Sequence, residues 1–244
     1  MIKSSSSRSS SFVALLRFSL LAVAGALVLF PPTTARCQVP PSPSEIAAYT
    51  GLHAAAARGD AIEITKLVGA GADVALRDGH QRTALHVAAH GGHQDAVRAL
   101  VKAGADPKSL DARRYDIVTI AAVRDDEPMV RLALSLGSDA KAITSPYDGT
   151  ALIAAAHLGY DGVVRALIEN NAPLDHVNNL KWTALIEAIV LGNGGPRHTA
   201  CVKALLEAGA DPNLADGQGA TPLALARARG FAGMVALIEA RGGK

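Results

Sequence analysis

Apolar and polar positions recur along this chain in blocks with a fixed beat. Thr50-Gly51-Leu52-His53 is followed 33 residues later by Thr83-Ala84-Leu85-His86, and the slot returns as Asp116-Ile117-Val118-Thr119, Thr150-Ala151-Leu152-Ile153, Thr183-Ala184-Leu185-Ile186 and Thr221-Pro222-Leu223-Ala224. The spacings are 33, 33, 34, 33 and 38 residues, a period that marks a stack of repeated units. Other columns keep the same register. Five residues into the slot stand Ala55, Ala88, Ala121, Ala155, Ala188 and Ala226; four further on come Gly59, Gly92, Asp125, Gly159, Gly192 and Gly230. Ile64, Val97, Val130, Val164, Val202 and Val235 share a third column once five residues of the fifth unit are set aside as an insertion.

Each column has a physical task. The slot Thr precedes an apolar stretch and can cap a helix through its hydroxyl. The alanine suits a place where two helices approach too closely for a larger side chain. The glycine ends the first helix, because a left-handed backbone costs glycine little. A second helix follows, with an apolar stripe such as Ala96, Val97, Leu100 and Val101. It closes in Gly71-Ala72-Asp73, Gly104-Ala105-Asp106 or Gly209-Ala210-Asp211, with Asn171 replacing the glycine in the fourth unit. The pattern predicts an all-α solenoid of about six helix-turn-helix units, at about 45–77, 78–110, 111–143, 144–177, 178–215 and 216–244. No unit buries its apolar faces alone, so stability is shared between neighbours. Glu63 stands where later units have Ala96, Met129, Val163, Cys201 and Met234, which fits a unit with no neighbour on one side.

Thr-Ala-Leu-His-Val-Ala-Ala-His-Gly-Gly-His from Thr83, closing in Gly104-Ala105-Asp106, resembles the ankyrin repeat. The likeness runs from residue 45 to about 242. It implies a curved stack of helix pairs with β-turn fingers, the fingers and first helices forming a concave protein-binding face. Unit three departs from the pattern, with Asp116 in the Thr slot and Arg124-Asp125-Asp126-Glu127-Pro128 in place of the glycine turn. Its helix boundaries are the ones the pattern fixes least.

The first 37 residues read differently. Lys3, Arg8 and Arg17 lie in a Ser-rich start, an apolar run spans Phe18 to Phe30, and Pro31-Pro32 precede Ala35-Arg36-Cys37. This is the plan of a secretory signal peptide, and the apolar run is short for a membrane span. A Pro/Ser-rich linker is expected over 38–44. The chain holds 24 Lys and Arg against 22 Asp and Glu. Residues 1–37 contain four of the bases and none of the acids, which leaves 20 against 22 and a net charge of −2. The basicity belongs to the leader, and no nucleic-acid partner is implied. Hydrophobic residues make up 49% of the chain and aromatics only 4%, as suits short helices packed closely. With one of two cysteines in the leader, Cys201 is left without a disulfide partner.

Candidate chemistry is sparse. His80, His86, His90 and His93 cluster, and His86 and His90 share a helical face. In ankyrin-like repeats, however, the slot histidine bonds to the slot Thr, and no cysteine or carboxylate cluster completes a metal set. Cys201 falls in an interior column and reads as a small buried residue rather than a nucleophile. No phosphate loop, nucleophile elbow or paired-carboxylate motif is present. Neither enzyme activity nor a cofactor or metal is expected.

The fingers that the resemblance implies carry the functional candidates: His80, Gln81 and Arg82; Arg113, Arg114 and Tyr115; Tyr147 and Asp148 after Pro146; and Lys181 and Trp182 after Leu180. Tyr, Trp and Arg are enriched at binding hot spots. Gly192-Asn193-Gly194-Gly195-Pro196-Arg197-His198 lengthens the turn between the helices of unit five, and reads as a harmless bulge or, as the alternative, a second contact point. The expected function is non-catalytic docking of a protein partner on the concave face. The expected compartment is periplasmic or secreted, and the protein is expected to be monomeric alone and off the membrane after signal cleavage. An immunity or inhibitor protein and a secreted effector are the alternatives.

Overall fold

The computed structural model describes residues 39–244, so the signal-peptide reading lies outside the described residues. Among the described residues there are thirteen helices and no strand beyond isolated bridges. A leading helix, α1 (Pro43–Ala48), is followed by six pairs: α2 (Gly51–Arg58) with α3 (Ala61–Gly69), α4 (Ala84–Gly91) with α5 (Gln94–Lys102), α6 (Ile117–Ala122) with α7 (Glu127–Ser135), α8 (Ala151–Leu158) with α9 (Asp161–Glu169), α10 (Ala184–Val190) with α11 (Pro196–Ala208), and α12 (Pro222–Ala228) with α13 (Ala232–Glu239). First helices stack on first helices, α2 on α4 through to α10 on α12. Second helices form an outer row in which α3 packs on α5, α7 on α9, α9 on α11 and α11 on α13. The seam between α5 and α7 is the thinnest of that row.

Helices this short do not hold in water alone, so caps and packing decide them. The slot residues Thr150, Thr183 and Thr221 each accept a hydrogen bond from the N–H three residues on. Asp116 does the same for α6, accepting from Thr119 N–H at 2.8 Å. Unit three therefore keeps its cap with a different side chain. The six column alanines are fully buried at the helix contacts, and of the aliphatic column only Val235, in the last unit, retains exposure. The substitutes for glycine hold its backbone shape: Asp125 (φ 58°) ends the α6 turn, and Asn171 (φ 62°) follows α9.

Two local readings change. Residues 39–44, the described part of the expected linker, are not simply a linker. Ser42 and Glu45 form a reciprocal capping box, Pro43 opens α1, and Val39 O accepts from Arg82 Nη1 at 3.3 Å. Gly192 does not adopt the left-handed turn of its column; Gly194 does, at φ 70°. The insertion adds to both turn and helix: the turn runs over 191–195, against 59–60 between α2 and α3, and Pro196, a favoured first residue, opens an α11 of 13 residues. It is braced on both sides. Arg197 makes a two-point ion pair with Asp125 and reaches Asp161 at 3.2 Å, while Arg229 donates to Gly192 O and Phe231 packs on Gly194. His198 Nε2 lies 3.0 Å from His157 O, as His93 Nε2 does from Ala57 O at 3.1 Å. The expected bulge is a brace joining units three to six.

Candidate protein-binding face

The loops between helix pairs form five fingers, at 78–82, 111–115, 145–149, 178–182 and 216–220. One column clamps them all. Asp78 Oδ1 accepts from the N–H groups of His80 and Arg82 at 2.8 and 2.9 Å. Asp111 holds Arg113 and Tyr115, Ser145 holds Tyr147 and Gly149, Asn178 holds Leu180 and Trp182, and Asp216 holds Gln218 and Ala220. Each turn closes with a backbone pair such as Asp78 N–H to Arg82 O at 2.9 Å. Asp and Asn side chains make this turn because they reach their own backbone two residues on. The sequence reading missed the column. Its signal was a short polar residue five places before every slot residue after the first.

The clamp forces the fourth residue of each finger into the left-handed region: Gln81 (φ 59°), Arg114 (66°), Asp148 (52°), Lys181 (65°) and Gly219 (83°). Only the last is glycine. Four fingers thus keep a side chain at a strained position, and such strain collects at functional surfaces.

Neighbouring fingers are tied together. Ala112 N–H donates to His80 O and Asn179 N–H to Tyr147 O, both at 3.0 Å. Arg77 Nη1 donates to Gln81 O and to Leu110 O at 2.7 Å, and Arg114 pairs with Asp148 at 3.2 Å. The result is a braced ridge.

His80, Gln81, Arg113, Arg114, Tyr147, Asp148 and Lys181 are exposed along this ridge, and Trp182 is half-buried. Arg82 and Tyr115 are not contact residues, being 1% and 3% exposed. They occupy the last position of the finger, which turns inward against the first helices. Arg82 there meets Asp78 at 2.7 Å and Glu45, and Tyr49 O–H donates to Asp78 at 2.6 Å. These partners hold the carboxyls of Glu45 and Asp78 down to about 2, for Glu45 chiefly through Ser42 and for Asp78 through hydrogen bonds that overcome its burial. Leu180, Leu76, Ile143 and Val177 add exposed apolar surface to the fingers and their bases. The last three were missed, because in sequence they look like ordinary loop filler.

The histidines are mostly occupied structurally. Thr83 N–H donates to His86 Nδ1 at 3.1 Å, so Nε2 carries the proton and donates to Ser109 O at 3.0 Å. Burial lowers the pKa of His86, and it pushes His90 down to about 3. His90 Nε2 is buried without a partner. Glu187, in a column otherwise apolar, is buried; Asn178 donates to it at 2.9 Å and His157 Nδ1 lies 3.2 Å away. Cys201 is fully buried, its thiol pushed up to about 12 by burial, which removes it as a nucleophile.

A stack of capped helix pairs with a ridge of clamped fingers defines a repeat scaffold. The family model "Ankyrin repeats (3 copies)" matches residues 29–111 and 118–216, and the chain belongs to the ankyrin-repeat family. An ankyrin repeat domain of Acinetobacter baumannii AYE is 41% identical with a TM-score of 0.75, over 79% of this chain and 98% of that one. The ankyrin repeat domain of Bcl-3, a member of the IkappaB family, is 27% identical with a TM-score of 0.72, over 81% of this chain and 88% of that one. YahD, an ankyrin repeat protein of Escherichia coli (strain K12), is 41% identical over 97 residues, 39% of this chain. The match spans about half the length of that curated relative (48%). Ankyrin repeats generally act as non-catalytic scaffolds for protein–protein interaction.

Proposed function

We propose that this chain is an exported, non-catalytic scaffold that docks one protein partner on the concave face made by its fingers and first helices, in the periplasm or outside the cell. The observation that carries the reading is the ridge itself. Four fingers spend backbone strain to keep a side chain at the tip, and Tyr147 and Leu180 stay exposed there. Exposed aromatic and apolar groups on a rigid support suit binding, since little conformational freedom is lost on docking. Export rests on the basic, apolar and small-residue order of residues 1–37.

A cross-linked pull-down with residues 38–244 tests docking, run beside a Tyr147→Ala/Trp182→Ala variant. One protein enriched on the native bait and lost on the variant supports the reading; equal capture by both removes the finger ridge from it. Cell fractionation tests export separately, and retention of the unprocessed chain in the cytoplasm would sink that part alone.

A further inference from the structure

The asparagines of the chain are Asn170, Asn171, Asn178, Asn179, Asn193 and Asn213, and Asn193 alone precedes a glycine. A backbone nitrogen can attack the side-chain carbonyl of the asparagine before it, and a glycine there offers no Cβ to obstruct the approach. Asn193 is exposed in the turn that leads into α11. Among the described residues the Gly194 N–H donates to no acceptor, so its nitrogen is free to attack.

The carbonyl it would attack is set between two donors. Gly195 N–H donates to Asn193 Oδ1 at 2.9 Å, which fixes that atom as the oxygen, and His198 Nδ1 lies 3.1 Å from it. His198 Nε2 faces His157 O at 3.0 Å. Both ring nitrogens thus meet acceptor oxygens, and only the imidazolium donates to both. Donors aimed at an oxygen where negative charge develops favour attack at its carbon. Asn178 supplies the contrast. Its Oδ1 also takes two N–H groups, from Leu180 and Trp182, but the nitrogen that follows belongs to Asn179 and donates to Tyr147 O at 3.0 Å.

The geometry points to a self-modifying site in the brace: Asn193 deamidates through a cyclic imide formed with Gly194, assisted by His198. The bond from Gly194 N to Asn193 Cγ forms, and the Gly194 proton passes to a base in solvent. The side-chain nitrogen takes up a proton and leaves as ammonia. Water then opens the imide at either carbonyl, giving aspartate or isoaspartate at position 193. Aspartate turns the contact with His198 into an ion pair. Isoaspartate lengthens the main chain by one carbon, and so displaces Gly194 from its left-handed turn and from the Phe231 ring. The second product loosens the brace that joins units three to six.

The purified chain is held at neutral pH and digested with trypsin at intervals. Mass spectrometry follows amide-to-acid conversion in peptide 182–197, which holds Asn193, and in peptide 166–181, which holds Asn178. An isoaspartyl methyltransferase measures the isoaspartate product. Peptide 182–197 should convert well ahead of 166–181, and faster in the folded chain than in the chain unfolded in urea. His198→Ala should slow the folded rate about tenfold, less than an enclosed oxyanion site loses with one donor. Asn193→Gln should abolish the conversion, and the thermal midpoint should fall as isoaspartate accumulates. No conversion at Asn193, or a folded rate no greater than the rate in urea, overturns the proposal, and that comparison needs no variant to fold. A folded His198→Ala chain that converts at the native rate overturns the part given to the imidazole.

Discussion

Arg197 and Asp125, 72 residues apart in sequence, meet in a two-point ion pair at 2.7 and 2.8 Å. Each lies in an irregular part of the repeat: Asp125 in the turn of unit three that lacks its glycine, Arg197 in the insertion of unit five. The two irregularities complete one another across unit four, where Arg197 also stacks on the Tyr160 ring at 5.2 Å. The pair is half-exposed, so Arg197→Ala should cost only about 0.5–1 kcal/mol. Deleting Gly194 to His198 should cost more, because the contact with Phe231 goes as well. A double-mutant cycle with Asp125→Ala, read by thermal unfolding, checks this. Additive single effects would show that the clasp does not couple the units.

The strain in the fingers predicts that Lys181→Gly and Gln81→Gly raise stability, by about 0.5 kcal/mol each once the extra freedom of the unfolded glycine is counted. Gly219→Ala, at the equivalent position, should lower it by about 1 kcal/mol. Denaturant midpoints measure both. A loss of stability in the two glycine variants would mean that those side chains are held by contacts worth more than the strain.

Arg82 neutralises Asp78 and Glu45 from a buried position. Its removal leaves two carboxylates facing each other, so Arg82→Ala should cost about 2–3 kcal/mol and release α1. Hydrogen exchange in residues 43–48 reads the release directly; unchanged protection there would contradict it.

The fold should weaken as pH falls in two stages. His90 binds its proton only near pH 3 when folded, against an ordinary 6.5. Its contribution is therefore complete above 6.5 and is lost as pH falls from 6.5 toward 3, at up to about 1.4 kcal/mol per pH unit. His86 acts in the same direction. Asp116 opposes them, since burial raises its carboxyl and its protonation favours the folded state at acid pH. Glu45 and Asp78 follow later: their stabilisation is present above 4.5 and 3.8 and is lost toward about 2. His90→Val should raise stability at neutral pH and flatten its dependence as pH falls from 6.5 toward about 3. An unchanged slope would assign the proton uptake elsewhere.

The sequence made the stack legible because the columns repeat six times, and six alanines in register have one packing explanation. It also placed the fingers, but not which way each residue turns. Arg82, Tyr115 and Trp182 share one position before the slot, yet the first two are buried while Trp182 stays half-exposed. The Arg197–Asp125 clasp was not legible for a related reason: it joins two departures from the repeat, and register relates only what repeats. The capping of α1 was readable in Ser42 and Glu45, but a Pro/Ser-rich composition obscured it.

The central claim is that the partner sits on the fingers and not on the outer row. A photo-cross-linking residue placed at Tyr147 tests it most directly, beside the same residue at Lys203 on the exposed face of α11. The account predicts a cross-linked partner from position 147 and none from position 203. Capture from position 203 alone would contradict it and move the binding surface to the second helices.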